Sequence, residues 1–288
     1  VKKVRIACGY PWYAGADRDC VTNFLALQHH MGRLQERLWW MKQAVDEYGR
    51  PDFEAYAMPP LDATNPTGTS EVPAELIGTE FEFGIGEEVG CSLPGLARER
   101  IVDKCLEWGA DYIMWSDADM KWGTDVFLRL YLDQKPIVAA LAFTGRLPLT
   151  PVIYRFENYG IKVDEKQQTH IEFDAQPVMD YKRDALQQVD AIGSGVMLID
   201  AKVFKTIPKP WFTSYGLGED IWFCARARAY DVPVFVDTRA KTAHKPTFHQ
   251  VWHDEAAYDR QQSDRCLHCS GQVVRVPVEP VEPEAVPV

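Results

Sequence analysis

Tyr112-Ile113-Met114-Trp115 is an unbroken run of bulky apolar residues followed, after Ser116, by Asp117-Ala118-Asp119. A short apolar run without alternation reads as a strand buried on both faces. Helical patterns lie on either side of it. Leu96 to Trp108 comes before, with Pro94 near its start and Gly109 just past its end. A helix running to Leu132 comes after, with Thr124 as its cap. A strand covered on both faces by helices is the layered arrangement of an α/β domain.

The same alternation extends in both directions. Val4 to Cys8 reads as a first buried strand, closed by Gly9-Tyr10-Pro11. Met31, Leu34, Leu38, Met41, Val45 and Tyr48 recur at helical spacing until Gly49-Arg50-Pro51 stops the helix. Phe53 to Met58 reads as a second strand, residues 59–75 as a loop, and Pro136 to Phe143 as a further strand. Gly84-Ile85-Gly86 lacks the spacing of a dinucleotide-binding loop and receives no cofactor role. Beyond residue 150 the pattern changes to short strands at 152–156, 161–163 and 171–173, separated by polar turns. Gly193-Ser194-Gly195 precedes the buried-looking Val196–Ile199, Glu219 to Tyr230 reads as a helix, and Val232 to Val236 as a last strand. The expected class is α/β, with a mostly parallel Rossmann-like sheet and a smaller antiparallel region. The tail from residue 276 to 288 carries four prolines among Val and Glu and is expected to be extended or disordered.

Charge and cysteine content narrow the function classes. A net charge of -11 argues against a protein that lives by non-specific phosphate contacts. No apolar stretch approaches the roughly 18 residues that span a bilayer. Seven cysteines in mostly apolar settings and a strand-like N-terminus without a signal pattern point to a cytoplasmic protein.

The candidate chemistry starts with Asp117 and Asp119. Two carboxylates where a strand gives way to a loop can converge on one hard divalent cation, Mn²⁺ or Mg²⁺, whose shell substrate phosphates often complete. The plainer reading is a solvated acidic turn. Gly218-Glu219-Asp220 opens a helix, where acids also serve the macrodipole. Here they follow Trp211-Phe212 and a loop with Gly216 and Gly218, so a carboxylate could take a proton from an attacking hydroxyl. His244 alone reads as structural; the acids make it a third metal-ligand candidate. Tyr10, Trp12, Trp211 and Trp222 are candidates for stacking on a base or sugar, or else packing residues.

In their order and spacing these motifs resemble the metal-dependent glycosyltransferases of the GT-A fold, especially inverting family-2-like members. The likeness spans about residues 1 to 250 and rests on Ile6–Pro11, Ala97-Arg98-Glu99, Trp115–Met120, Gly193-Ser194-Gly195, Gly218-Glu219-Asp220 and His244. It implies a nucleotide-binding half at 1–135 and an acceptor half at 136–250. It implies that Asp119 binds the metal directly, with His244 as a further ligand. Asp117 would touch the donor ribose or a metal-bound water, Arg98 and Tyr10 would lie at the nucleotide, and Asp220, beside Glu219, would be the general base. Many relatives carry Asn where this chain has Glu99. The implied donor is a nucleotide sugar, a UDP-sugar favoured. The acceptor is a saccharide or, since compact transferases of this kind also resemble phage-encoded enzymes, a hydroxymethylated DNA base. Lys202, Lys205, Lys209, Lys241 and Lys245 could line a basic rim for such DNA, or form an ordinary solvated surface.

Two other functions stay open from sequence. A metal-dependent nucleotidyltransferase also uses paired acids, but needs a Gly-rich phosphate loop that residues 8–19 do not clearly supply. A non-catalytic carbohydrate-binding protein on the same scaffold would have no need of both acidic motifs. Separately, in the segment 251–275 and just before it, His249, His253, Cys266 and Cys269 have the spacing of a structural Zn²⁺ site in reversed order, or are a chance coincidence of histidines and free thiols.

Overall fold

The computed structural model describes residues 2–12, 27, 76, 78–89, 91, 93–123, 125–145, 147–163, 169–213, 218–244, 254–259 and 261, with backbone only at 10–12 and 87–89. The expected helix over 31–48, the strand at 53–58, the loop at 59–75, the Thr124 cap and the C-terminal tail lie outside the described residues.

The strands are β1 (Lys2–Trp12), β2 (Thr79–Val89), β3 (Tyr112–Ser116), β4 (Met120–Trp122), β5 (Ile137–Leu141), β6 (Ile153–Val163), β7 (Thr169–Pro177), β8 (Leu186–Val189), β9 (Ala191–Ile192), β10 (Val196–Asp200) and β11 (Val234–His244). The helices are α1 (Pro94–Trp108), α2 (Asp125–Leu132), the single turn α3 (Val203–Thr206) and α4 (Glu219–Ala229). Eight strands form the main sheet in the order β2-β1-β3-β10-β5-β11-β4, with β8 also on β11; β7-β6-β9 form a small antiparallel sheet.

The main sheet is α/β as expected, but its directions are mixed. β1, β2, β3, β5 and β11 run one way, while β10, β4 and β8 run against them. The reversed strand β10 sits in the middle of the sheet, between β3 and β5, and not in a separate region. Its register, Met197 opposite Trp115 and Ala139, keeps every inward-facing side chain in step across three strands.

Period-two alternation sorts the central strands between two cores. Ile113, Trp115, Ala139, Leu141, Met197 and Ile199 face the core that contains Ile101 and Cys105 of α1 and Phe223 and Cys224 of α4. Met114, Val138, Ala140 and Leu198 face the one that contains Val126, Phe127 and Leu130 of α2. Burying each of the larger of these side chains contributes about 1.5–3 kcal/mol, so the sheet is fixed by residues that its sequence makes apolar on both faces. Pro94 opens α1, and Gly109, at φ 81, closes it by giving its N–H to Leu106 while Ala110 reaches Cys105.

Several boundaries differ from those read off the sequence. The segments 152–156 and 161–163 are one strand, β6, with an irregularity between Glu157 and Gly160. The stretch holding Gly84 and Gly86 is a strand, since side chains there would collide with Trp108 and Cys105 of α1. The last strand runs on past Val236 through a bulge to His244, which is its final residue and does not follow it. Residues 255–259 are helical and pack on the main unit, where Tyr258 stacks on Phe143 and Arg183 pairs with Asp259. No helix among the described residues is long and apolar enough to cross a membrane.

Candidate functional site

The carboxyl ends of β3, β5 and β11 lie at one rim of the sheet, and the reversed β10 begins there. In open α/β sheets this rim is where ligands bind. The sequence motifs collect along it. Asp117 follows β3 directly; its N–H donates to the Gly195 carbonyl (2.9 Å), and its own carbonyl accepts the Met120 N–H (3.1 Å) to form a tight turn. Beneath the turn, buried Trp122 donates to the Ser116 hydroxyl at 2.9 Å.

The two aspartates of the turn take different partners. Asp117 Oδ1 accepts Arg98 Nη2 at 2.7 Å, with 32% of the Asp117 side chain exposed. Burial pushes the Asp117 carboxyl pKa up, and Arg98 opposes the push. Asp119, 51% exposed, meets His244 Nε2 at 2.9 Å. The other ring nitrogen of His244, Nδ1, lies 3.0 Å from the Phe143 carbonyl. Both nitrogens thus face oxygen acceptors, the arrangement of an imidazolium. Burial disfavours that charge, but the hydrogen bond and charge of Asp119, the Phe143 carbonyl and the charge of Asp117 outweigh it, so the His244 pKa is raised.

The second motif comes from the start of α4. Arg98, projecting from α1, donates through Nε to Glu219 Oε1 at 3.1 Å. Its guanidinium lies over the Trp115 ring, 5.0 Å from the centroid. Asp220 Oδ2 accepts the Ser194 N–H (3.2 Å) and Oδ1 accepts its neighbour Ile221's N–H (2.8 Å). Burial first, then the charge of Glu219, push the Asp220 pKa up to about 6, against the pull of Arg98 and the two backbone donors. An acid so placed is anionic at neutral pH yet basic enough to accept a proton.

Sequence reasoning named these acids together with Arg98 and His244, but not the contacts that hold them in place. Glu99, singled out only as a departure from the family pattern, accepts the Phe212 N–H at 2.6 Å. The Phe143 carbonyl, which orients His244, carries no side-chain signal that a sequence could show. Of the stacking candidates, Trp211 is buried and donates to the Ile207 carbonyl, and Trp222 packs edge-on against Phe173. The side chains of Tyr10 and Trp12 lie outside the described residues. So do His249, His253, Cys266 and Cys269, and Lys245 of the basic rim. Lys202, Lys209 and Lys241 are each paired with acids: Asp200, Asp103, and Asp184 with Glu255.

Among the described residues no group of three His, Cys, Asp or Glu side chains is already gathered for a metal. Asp119 and His244 are together, whereas Asp117 is turned to Arg98. The donor chemistry of that pair still fits a divalent cation. Nδ1 is engaged by a carbonyl, as in metal-ligating histidines, and Nε2 points at a carboxylate with only a proton to displace.

Neither family models nor curated proteins match this chain. Among solved structures, A197 from STIV is similar with a TM-score of 0.46 at 14% identity, over 84% of this chain and 85% of that one. A putative glucose-1-phosphate thymidylyltransferase from Bacillus anthracis gives 0.30 at 13% identity, over 66% of each chain. HddC from Yersinia pseudotuberculosis gives 0.30 at 8% identity, over 90% of this chain and 99% of that one. Likenesses of this size carry no argument about function.

Proposed function

We propose that this protein is a glycosyltransferase that moves a sugar from a nucleotide diphosphate to an acceptor hydroxyl, with Asp220 as the general base. One observation carries the reading. Two acidic motifs a hundred residues apart meet at the ligand-binding rim of the sheet, joined through one buried arginine. A solvated turn and an ordinary helix N-terminus have no reason to be linked in this way.

The chemistry follows from the residues. The acceptor oxygen forms a bond to the anomeric carbon as the bond from that carbon to the diphosphate breaks. The hydroxyl proton passes to Asp220, whose pKa of about 6 suits the task near neutrality. Attack opposite the leaving group inverts the anomeric centre. Asp119 and His244, with Asp117 beside them, would hold Mn²⁺ or Mg²⁺. When bound, the cation supplies Lewis-acid stabilisation of the leaving diphosphate. Lys202 follows Asp200, which pairs with Tyr112 at the opposite end of the sheet from Asp117, so it does not line the acceptor side, and the acceptor we favour is a saccharide.

A thermal-shift screen of nucleoside diphosphates and their sugars, with and without Mn²⁺, tests the donor half. A rise in Tm that needs both nucleotide and cation is expected, and is lost in Asp119→Ala. Release of nucleoside diphosphate on adding a saccharide acceptor tests the rest. Indifference to every nucleotide under all conditions would sink the reading. Salt-sensitive binding to duplex DNA would move the acceptor back to a base.

A further inference from the structure

Sequence likeness places Arg98 at the nucleotide. Its surroundings give it another task. The side chain is 3% exposed, Nη2 is committed to Asp117 at 2.7 Å and Nε to Glu219 at 3.1 Å. Trp115 lies under the guanidinium plane, and Nη1 is buried without a partner among the described residues. A nucleotide could take the Nη2 and Nε donors only by displacing the carboxylates already bonded to them.

We infer that Arg98 is a positioning residue, a strut that sets the place of Asp220 relative to Asp117. It holds Asp117 directly and Asp220 through Glu219, the first residue of α4 and the covalent neighbour of the base. The catalytic meaning of the strut rests on the transferase reading; the strut itself does not. Adjacent residues of α1 divide the work. Glu99 grips the chain at Phe212, and Arg98 grips it at Glu219, so the segment that delivers Asp220 is held at both ends by one helix.

The chemistry requires arginine. Two carboxylates approaching from β3 and α4 need donors on different edges of one rigid cation, which a planar guanidinium provides and an ammonium does not. Burial disfavours the charge, but Asp117, Glu219 and Asp220 more than offset it, so the Arg98 pKa is raised and the strut stays charged at any working pH. Lysine at this position would keep the charge but put all its donors on one nitrogen, so Asp117 and Glu219 could not both keep the places that Nη2 and Nε give them.

Two backbone amides report on the strut without any substrate. The N–H groups of Ser194 and Ile221 both donate to Asp220. In the full-length protein, Arg98→Lys and Glu219→Gln are expected to speed hydrogen exchange at these two amides about tenfold or more, while amides in α2 keep their protection. A loosened base should lower kcat by about 10²-fold with donor affinity by calorimetry little changed, since misplacing a group by about 1 Å has that effect. The double variant Arg98→Lys/Glu219→Gln should lose less than the product of the two single losses, because both weaken the same connection.

Unchanged exchange at Ser194 and Ile221 would overturn the strut whatever the enzyme does. So would effects on kcat that multiply in the double variant. Faster exchange in a protein whose wild type moves no sugar would keep the strut and remove only the transferase reading. Should Arg98→Lys not fold, Glu219→Gln carries the test alone, since it leaves the Arg98–Asp117 arm intact.

Discussion

Replacing Asp220 by Asn should flatten one part of the pH dependence of stability, by an amount the structure sets. The Asp220 carboxyl has a pKa of about 6 in the folded protein against an ordinary value of 3.8. A raised carboxyl binds its proton more tightly when folded than when unfolded. Stability therefore rises as pH falls through about 6, and the gain levels off once the unfolded chain is protonated too. Between pH 8 and pH 5 linkage gives the wild type about 1.4 kcal/mol that a residue unable to titrate does not receive. The offset between the two proteins at pH 8 has two opposing parts. Asn removes a buried charge, but it offers one acceptor to the two N–H groups that Asp220 satisfies. The change in that offset with pH is the informative quantity, because every other titrating group is common to both proteins. Urea unfolding in EDTA at the two pH values measures it. An offset that stays constant within about 0.3 kcal/mol would refute the raised pKa, and with it the argument that Asp220 is tuned as a base. If the base assignment holds, wild-type turnover at pH 5 should also fall to about a tenth of its plateau.

Three further outcomes are expected. Gly145→Ala would place a methyl carbon 2.9 Å from the His244 ring, so the ring must move; Mn²⁺ affinity by electron paramagnetic resonance should fall about tenfold, and unchanged affinity would remove His244 from the ligand set. Mn²⁺ should bind more weakly at pH 6 than at pH 8, with proton release detectable by calorimetry in buffers of different ionisation enthalpy, because the raised His244 must lose a proton to coordinate; binding without proton release counts against that state. Asp237, 0% exposed, is held by Arg239 through its backbone N–H and side chain, while Arg239 also reaches Asp133; because the Arg239 side chain is partly exposed and keeps Asp133, Asp237→Ala should destabilise by about 1.5 kcal/mol in urea, and a loss below about 0.5 kcal/mol would show that the network contributes little.

The sequence made the central strands legible because their apolar residues are buried on both faces. Ile113 to Trp115 and Val196 to Ile199 sit where their pattern predicts. Direction was not legible, since an apolar run reads the same from either end; hence β10 emerged as the reversed strand at the centre. β2 was hidden for a different reason. Its glycines signal a loop locally, yet they are there because α1 packs so closely that Gly86 has no room for a side chain. At the rim, the acids were found from residue type and position. What holds them was not, because Arg98–Glu219 and Glu99–Phe212 are contacts across more than a hundred residues. The zinc spacing, the interhalf boundary at 135 and the basic rim's Lys245 gain nothing from the described residues.

Tyr258 lies nearly flat on Phe143 at 5.0 Å, and it is the Phe143 carbonyl that steadies the imidazole of His244. The family resemblance ends at about residue 250, which would leave that tyrosine out. Protein trimmed there for crystallisation should keep its sheet and lose the bracing behind His244, the proposed metal ligand. A weak or absent cation response in such a truncation would therefore not test the proposed metal site. The safe place to cut is beyond Gln261, whose amide clasps the Leu149 backbone from both sides.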